Sequence, residues 1–264
     1  MKILELRKSI PARTMQILTV SGFVGAALTY ALVSYLELAN MHFVPNPEAL
    51  LKAAIGIFSG EDLWQDFWKS FIRITAGFLL AALIALPLGT IVGSFRAGEA
   101  LLQPLTEFAR YIPVPALIPL LMVFFGIDEE PKIMLIFIGV FFQLLLMVAD
   151  EIRRVPYELL QISYTLGARK RETIARVLVP AALPGIFDAL RLCNGWAWTY
   201  LVVAELIAAN EGLGYRILRF YRYKQIPEMY IYLIFLGVLG LILDYLFRKF
   251  NERAFRWSAA NKPS

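Results

Sequence analysis

The sequence predicts an all-α membrane protein with six transmembrane helices in a single domain, residues 1–264. Hydrophobic residues make up 59% of the chain, which exceeds the apolar share of an ordinary soluble domain. Charge-poor stretches of about 20 residues also recur, and each is long enough to cross a bilayer as a helix. The expected spans cover residues 14–36, 70–95, 106–126, 133–149, 183–208 and 228–247.

The first two spans are defined by their borders. Residues 14–36 carry no charge and exceed the hydrophobic part of a secretory signal peptide, so we expect a retained anchor. Residues 45–47 read Pro-Asn-Pro, a helix-start signal that predicts a short interfacial helix before the second span. Trp64 and Trp68 precede that span as expected anchors at the membrane surface.

The later spans contain prolines and charges. Three prolines interrupt the third span: Pro113, Pro115 and Pro119. Asp188 and Arg191 lie three residues apart in the fifth span, and Asp244 near the inner end of the sixth could also reach Arg191. Because charges inside a membrane usually need a partner, we favour structural pairing over substrate binding for these residues.

Basic residues set the orientation, since Lys and Arg are retained on the cytoplasmic side. With the N-terminus inside, seventeen basic residues, Arg110 among them, fall in cytoplasmic segments and eight in external ones. Both termini are therefore expected in the cytoplasm, together with the loop at residues 150–180. The net charge of +5 then reflects topology and does not require a nucleic-acid partner.

Residues 150–180 form a charged stretch that we call the island. Its basic residues are Arg153, Arg154, Arg169, Lys170, Arg171 and Arg176. Pro156 and Glu158 suit the first turn of a short helix, and Gly167 suits its end. A second helical piece, residues 169–178, is expected to stop at Pro180. Two short helices joined at a glycine would form a knob; the alternative is an ordinary solvated loop.

The spacing inside the island resembles a family motif. Val177, Val179 and Pro180 follow Gly167 by ten, twelve and thirteen residues. Permease subunits of binding-protein-dependent ABC importers carry a loop with Glu-Ala-Ala, three residues, Gly, nine residues, Ile, one residue and Leu-Pro. The island is similar to this loop, with residues 161–163, Gln-Ile-Ser, in the place of the triplet.

Further segments resemble the same family in the same order. They are residues 70–73, 77–78, 87–89, 104, 111–120, 125–126, 205 and 212–214. From about residue 70 to residue 257, the chain is similar to the nitrate/sulfonate/bicarbonate/taurine branch of these permeases.

The resemblance implies a type I ABC importer permease-like fold in a bacterial inner membrane, with the island as a two-helix coupling loop. It also implies a homodimer that works with cytoplasmic ABC ATPase subunits and an extracytoplasmic solute-binding protein. The residues it assigns to ATPase coupling are Glu158, Gln161, Gly167, Ala168, Arg169 and Pro180. The sequence has no Gly-x-x-x-x-Gly-Lys-Ser/Thr loop, so ATP and Mg²⁺ are expected on partner subunits and no cofactor on this chain. The expected cargo is a small anion such as nitrate, a sulfonate, taurine or bicarbonate.

Several polar residues of the fifth span and the segment after it are candidates for transport. Asn194 and Trp198 share a helix face that could line the pathway, while packing is the alternative and is favoured for Trp196. Glu205 should lie at the external end, where it could cap the amides of residues 212–214 or line a gate. Arg216, Arg219 and Arg222 would form a basic stripe that docks the binding protein or attracts an anion, unless they only snorkel at the interface.

Other function classes receive less support. An enzyme would need a catalytic or metal-binding constellation, yet the single histidine, His42, has no cluster of metal ligands beside it. A channel or secondary carrier would work without ATP but would leave the two-helix island unexplained. An aromatic or heterocyclic cargo stays open because of the aromatics in the fifth span. Cys193 lies in an apolar stretch, where packing is the default role.

Overall fold

The computed structural model describes residues 11–36 and 43–257, and the regular secondary structure in these ranges is entirely helical. The helices are α1 (Ala12–Tyr35), α2 (Pro47–Ser59), α3 (Asp62–Ser94), α4 (Arg96–Arg110), α5 (Ile118–Phe125), α6 (Glu130–Arg153), α7 (Tyr157–Thr165), α8 (Lys170–Thr173), α9 (Val179–Ala208), α10 (Leu213–Arg222) and α11 (Ile226–Ala254). Five segments are long and apolar enough to cross a membrane, and one bent pair of helices supplies a sixth. His42 lies outside the described residues.

The core of the bundle is the contact between α3 and α6. Small residues recur on α3 at every fourth position: Gly77, Ala81, Ala85, Gly89 and Gly93. A Cβ atom at Gly89 would lie 2.7 Å from the carbonyl oxygen of Leu145 on α6. Spacing by four places these residues on one helix face, and their small size lets the two backbones approach closely. The pair therefore forms a rigid frame on which α9 packs.

The third span, expected over residues 106–126 with interruptions at three prolines, is a bent pair of helices. The chain forms α4, breaks at residues 111–113, and continues through a 3₁₀ turn, Val114–Leu117, into α5, with a bend of 89°. Pro113 has no amide hydrogen and disfavours a helical conformation in the residue before it, so the helix ends there. Helix α4 accordingly begins at Arg96, ten residues before the expected border.

The island has two helical pieces, as expected, but the second does not stop at Pro180. Helix α7 ends in a Schellman arrangement: Ala168 N donates to Ser163 O at 3.1 Å and Gly167 N to Tyr164 O at 2.9 Å. Gly167 has φ +83°, which explains the glycine. After α8, a π turn over Ile174–Leu178 leads directly into α9.

The π turn accounts for the continuity across Pro180. Val179 donates its amide to Ile174 O, five residues earlier. Pro180 has no amide to donate, and the preceding π turn, which is wider than an α turn, accommodates its ring without ending the helix. The expected stop at Pro180 is therefore wrong, and the island is joined rigidly to the fifth span.

The bundle has two ends. At the island end, Arg153 of α6 donates to Gln103 of α4 at 3.0 Å and pairs with Glu99 at 3.4 Å. At the opposite end, which we call the far end, α3 and α6 begin and α9 finishes.

Candidate functional site

A buried ion pair joins α3 to α9 at the far end. Arg73 donates through Nη1 to Glu205 Oε1 at 2.7 Å, and the two side chains are 3% and 0% exposed. Glu129, just before α6, accepts two further bonds from Arg73, at 2.5 Å from Nε and 2.8 Å from Nη2. Burial of this kind is tolerated only when each charge is paired and hydrogen-bonded.

Glu205 is also bound by groups other than Arg73. Ser70 Oγ lies 2.7 Å and 2.9 Å from its two carboxylate oxygens, and Gly214 donates its amide at 2.8 Å. Arg73 reaches the same loop, since its Nη1 also donates to Glu211 O at 2.7 Å. The carboxylate therefore caps the first turn of α10, one of the two roles expected for it.

Asp66 organises the other half of this region. It accepts from Gly212 N at 2.9 Å, from Arg216 Nε at 2.6 Å and from Tyr232 Oη at 3.2 Å. Only 2% of Asp66 is exposed. We call the whole set the polar cluster: Asp66, Ser70, Arg73, Glu129, Lys132, Glu205, Arg216 and Tyr232.

Gly212 is required by the geometry of the cluster. Its φ is +117°, and a Cβ atom would lie 2.4 Å from Glu205 Oε1 and 2.6 Å from Arg73 Nη1. Both the backbone conformation and the space exclude a side chain at this position.

Two groups at the edge of the cluster have pKa shifts that favour their charged forms. Hydrogen bonds from Arg73 lower the pKa of Glu129 to about 2, against the opposing effect of burial, and Lys132 at 3.0 Å lowers it further. Burial acts to lower the pKa of Arg216, but the hydrogen bond to Asp66 and the nearby charges of Asp66 and Asp62 together outweigh burial and raise it. By side-chain type the cluster holds three carboxylates and three basic groups, and its contacts join five helical elements.

The expected basic stripe on α10 is corrected by this arrangement. Arg216 has a side chain only 12% exposed, turned inward onto Asp66 and Asp62, so it is not available for docking. Arg219 and Arg222 are exposed. Helix α10 therefore offers two free cations on its surface.

The two tryptophans of α9 differ in exposure, and Trp198 takes the packing alternative. Trp198 is only 9% exposed and packs in the hydrophobic core, whereas Trp196 is 41% exposed. Asn194 is half-buried. The exposed face of α9 therefore passes through Trp196, and sequence spacing alone could not choose between the two tryptophans.

The charged residues expected to pair within the membrane do so. Arg191 lies 3.7 Å from Asp188 and 3.5 Å from Asp244. The pairing links α9 to α11 and matches the structural reading of these three residues.

The island presents apolar side chains to its surroundings. Leu166, beside the Gly167 corner, is 82% exposed, and the neighbouring Tyr157, Ile162 and Tyr164 are also exposed. Among the residues assigned to coupling, Glu158, Gln161, Gly167 and Arg169 are exposed, while Ala168 and Pro180 are half-buried. An exposed apolar patch beside charged residues is typical of an interaction surface.

A hydrogen bond between hydroxyls holds the island together. Ser163 and Thr173 are buried, and their hydroxyl oxygens lie 2.9 Å apart, linking α7 to α8. Ser163 occupies the third position of the family triplet, yet the sequence analysis does not predict its partner. The sequence analysis also does not identify four further site residues: Asp66, Ser70, Arg73 and Glu129. The signal that could have identified them is the presence of polar residues at the start of an apolar span.

Comparisons with known proteins give a family and several relatives for this chain. A family model described as binding-protein-dependent transport system inner membrane component matches residues 62–256. A probable ABC transporter permease protein of Brucella melitensis is 36% identical over 214 residues, which cover 81% of this chain and 87% of the relative. The taurine transport system permease protein of Escherichia coli is 29% identical over 230 residues, covering 85% and 84%. Inward-facing structures of the MetNI methionine ABC transporter include a chain with a TM-score of 0.63 at 22% identity, covering 70% of this chain and 93% of that one.

Proposed function

Because the chain belongs to the family of binding-protein-dependent transport system inner membrane components, we propose that it forms the translocation pathway of an ATP-driven importer. Two copies would enclose the pathway in a bacterial inner membrane, with both termini in the cytoplasm. A soluble binding protein would deliver the cargo at the far end, and ATPase subunits would bind the island at the other.

The island is the observation that carries this proposal. Its exposed Leu166 and the corner at Gly167 form an apolar surface that a partner would cover. The π turn joins the island to α9 without a flexible break, so a movement of the island would be transmitted to the fifth span. ATP-driven closure of the ATPase pair would therefore move the helix that carries Glu205.

The cargo is a small anion in this proposal, with a sulfonate as the first candidate because a relative is a taurine transport permease. Arg219 and Arg222, exposed on α10, would attract an acidic face of the binding protein. Asn194 is retained as a pathway residue, and Glu205 acts by holding the far end together. ATP and Mg²⁺ would be bound by the partner subunits.

Co-purification tests the proposal. The ATPase subunit encoded beside this chain should be retained by the wild-type permease and lost from Leu166→Asp, because a carboxylate would be desolvated in the apolar contact. Leu36→Asp is the control, since Leu36 is also exposed but follows α1. Equal retention of the ATPase by both variants, or cargo uptake by the purified chain without ATP, would reject the importer in favour of a carrier.

A further inference from the structure

A cavity of about 220 Å³ lies between α4, α6 and α9. The residues of its wall that matter are Arg110, Val114, Gly139, Gln143, Trp196 and Tyr200. Gly139 is needed because a Cβ atom there would lie 2.5 Å from the ring of Tyr200. The wall therefore combines a cation, an amide, a phenol and an indole.

The cavity lies near the middle of the bundle. Gln143 is ten residues before Arg153 at the island end of α6, about 15 Å along a helix. It is fourteen residues after Glu129 at the far end, about 21 Å in the other direction. Arg110 lines this cavity together with Gln143. Helix α4 begins at the island end, and Arg110 lies about 21 Å along its axis from Arg96.

The guanidinium of Arg110 contacts an aromatic ring and, within the described residues, no carboxylate. Its guanidinium lies 4.9 Å from the centroid of the Tyr111 ring and donates to Tyr111 Oη at 3.3 Å. Glu107, one turn earlier, accepts a hydrogen bond from Gln103 instead. Among residues 11–36 and 43–257, no carboxylate lies within 4.0 Å of the Arg110 guanidinium. Arg110 is exposed in the single subunit, and an arginine within a membrane-spanning bundle usually marks a substrate or ion pathway.

We propose that Arg110 is the anion-binding residue of a cargo subsite in this cavity. The subsite takes a small organic anion with a sulfonate or carboxylate group. The planar guanidinium can donate two parallel hydrogen bonds to such a group. Gln143 and Tyr200 add neutral donors at the wall, and the exposed ring of Trp196 covers the short apolar part of the solute. The inference rests on the proposed function, since it assigns the cavity to the translocation pathway.

The test measures the local charge of the cavity and needs no known cargo. A single cysteine is introduced at Val114 or at Trp196 in the full-length Cys193→Ala chain. Its reaction rates are compared for two methanethiosulfonate reagents of similar size, one bearing ethylsulfonate and the other ethyltrimethylammonium. The anionic reagent should react faster, and Arg110→Gln should lower the anion-to-cation rate ratio about tenfold. Arg110→Lys should keep most of the ratio, because it keeps the charge.

Two controls separate a local effect from a general one. Arg96→Gln removes a charge from the other end of α4 and should leave the ratio unchanged. For a cysteine at Leu166 in the island, the anion-to-cation rate ratio should be the same whether position 110 is Arg or Gln. Three outcomes would each overturn the subsite. The first is an unchanged rate ratio in Arg110→Gln at both cysteine positions, and the second is an equal fall of the ratio in Arg96→Gln. The third is that the cavity cysteines do not react while Leu166→Cys does. Co-purification of the ATPase subunit tests the proposed importer, whereas the reaction rates test the subsite. The two proposals can therefore fail independently.

Discussion

Arg73 and Glu205 form a buried ion pair at 2.7 Å although 132 residues separate them in the sequence. Both side chains are almost completely shielded, at 3% and 0% exposure. The pair fixes the end of α9 to α3, and Glu205 in turn holds the start of α10 through Gly214 N. Any movement of α9 driven from the island would therefore reach the far end through this pair.

Neutralising Glu205 should destabilise the protein. In Glu205→Gln, the amide nitrogen must replace an oxygen that accepts from Ser70, Arg73 or Gly214, so two donors face each other, and Arg73 keeps only one of its two carboxylate partners, Glu129. Removing one partner of a buried pair costs about 3 kcal/mol or more. Thermal unfolding of the purified complex should show a clear fall in midpoint. Glu130→Gln, an exposed neighbour of the cluster, should leave the midpoint unchanged, and an equal shift in both variants would contradict the prediction.

Gly212→Ala and Gly126→Ala should differ although both place a Cβ at positive φ. Gly126 has φ +82° with nothing within 4 Å, so alanine there costs only the backbone strain, about 1–2 kcal/mol. At Gly212 the Cβ would also meet Glu205 and Arg73. The unfolding midpoint of Gly212→Ala should therefore be clearly the lower of the two. Similar midpoints would show that the polar cluster relaxes around the new methyl group.

Removing the hydroxyl pair of the island should loosen α7 and α8. Ser163→Ala leaves the buried Thr173 hydroxyl without its partner, at a cost of about 1 kcal/mol. Hydrogen exchange should accelerate at the amides of residues 157–178 and remain unchanged in α3. The double variant Ser163→Ala, Thr173→Val should be less affected than the sum of the two single changes, because both remove the same bond. Strict additivity would mean that the bond contributes nothing.

Features that depend on residues close in the sequence could be predicted, whereas features that depend on contacts between distant residues could not. The apolar runs located the helices, and the spacing of Asp188 and Arg191 gave their pairing, because both depend on residues within a few turns. The polar cluster could not be predicted in this way, since Ser70 and Glu205 meet across 135 residues. The break at Pro113 was visible in the sequence, but only the bend shows that α4 brings Arg110 into the bundle. The choice between Trp196 and Trp198 depended on which face α6 covers.

The stability contributed by Glu129 should depend on pH. Its pKa is lowered from 4.5 to about 2 by the hydrogen bonds from Arg73. A lowered pKa in the folded state means that the stabilisation is fully present above the unfolded value near 4.5 and is lost as the pH falls toward 2. The difference in unfolding midpoint between wild type and Glu129→Gln should be constant from pH 7 to 5.5 and shrink from pH 5 to 3. A difference that grew on acidification would contradict the assigned charge state.

The arginines of α10 should separate into two classes. The double variant Arg219→Gln, Arg222→Gln removes two exposed charges. Its free energy of unfolding should change by no more than about 0.5 kcal/mol, as for ordinary surface substitutions, so the unfolding midpoint should barely move. Association with the binding protein should weaken, and its dependence on salt should decrease, because long-range attraction between exposed charges is screened. Arg216→Gln should do the reverse: it leaves Asp66 buried beside Tyr232 without its cation, so the midpoint should fall. If all three arginines affected binding equally and none affected stability, the inward position of Arg216 would not describe the working protein.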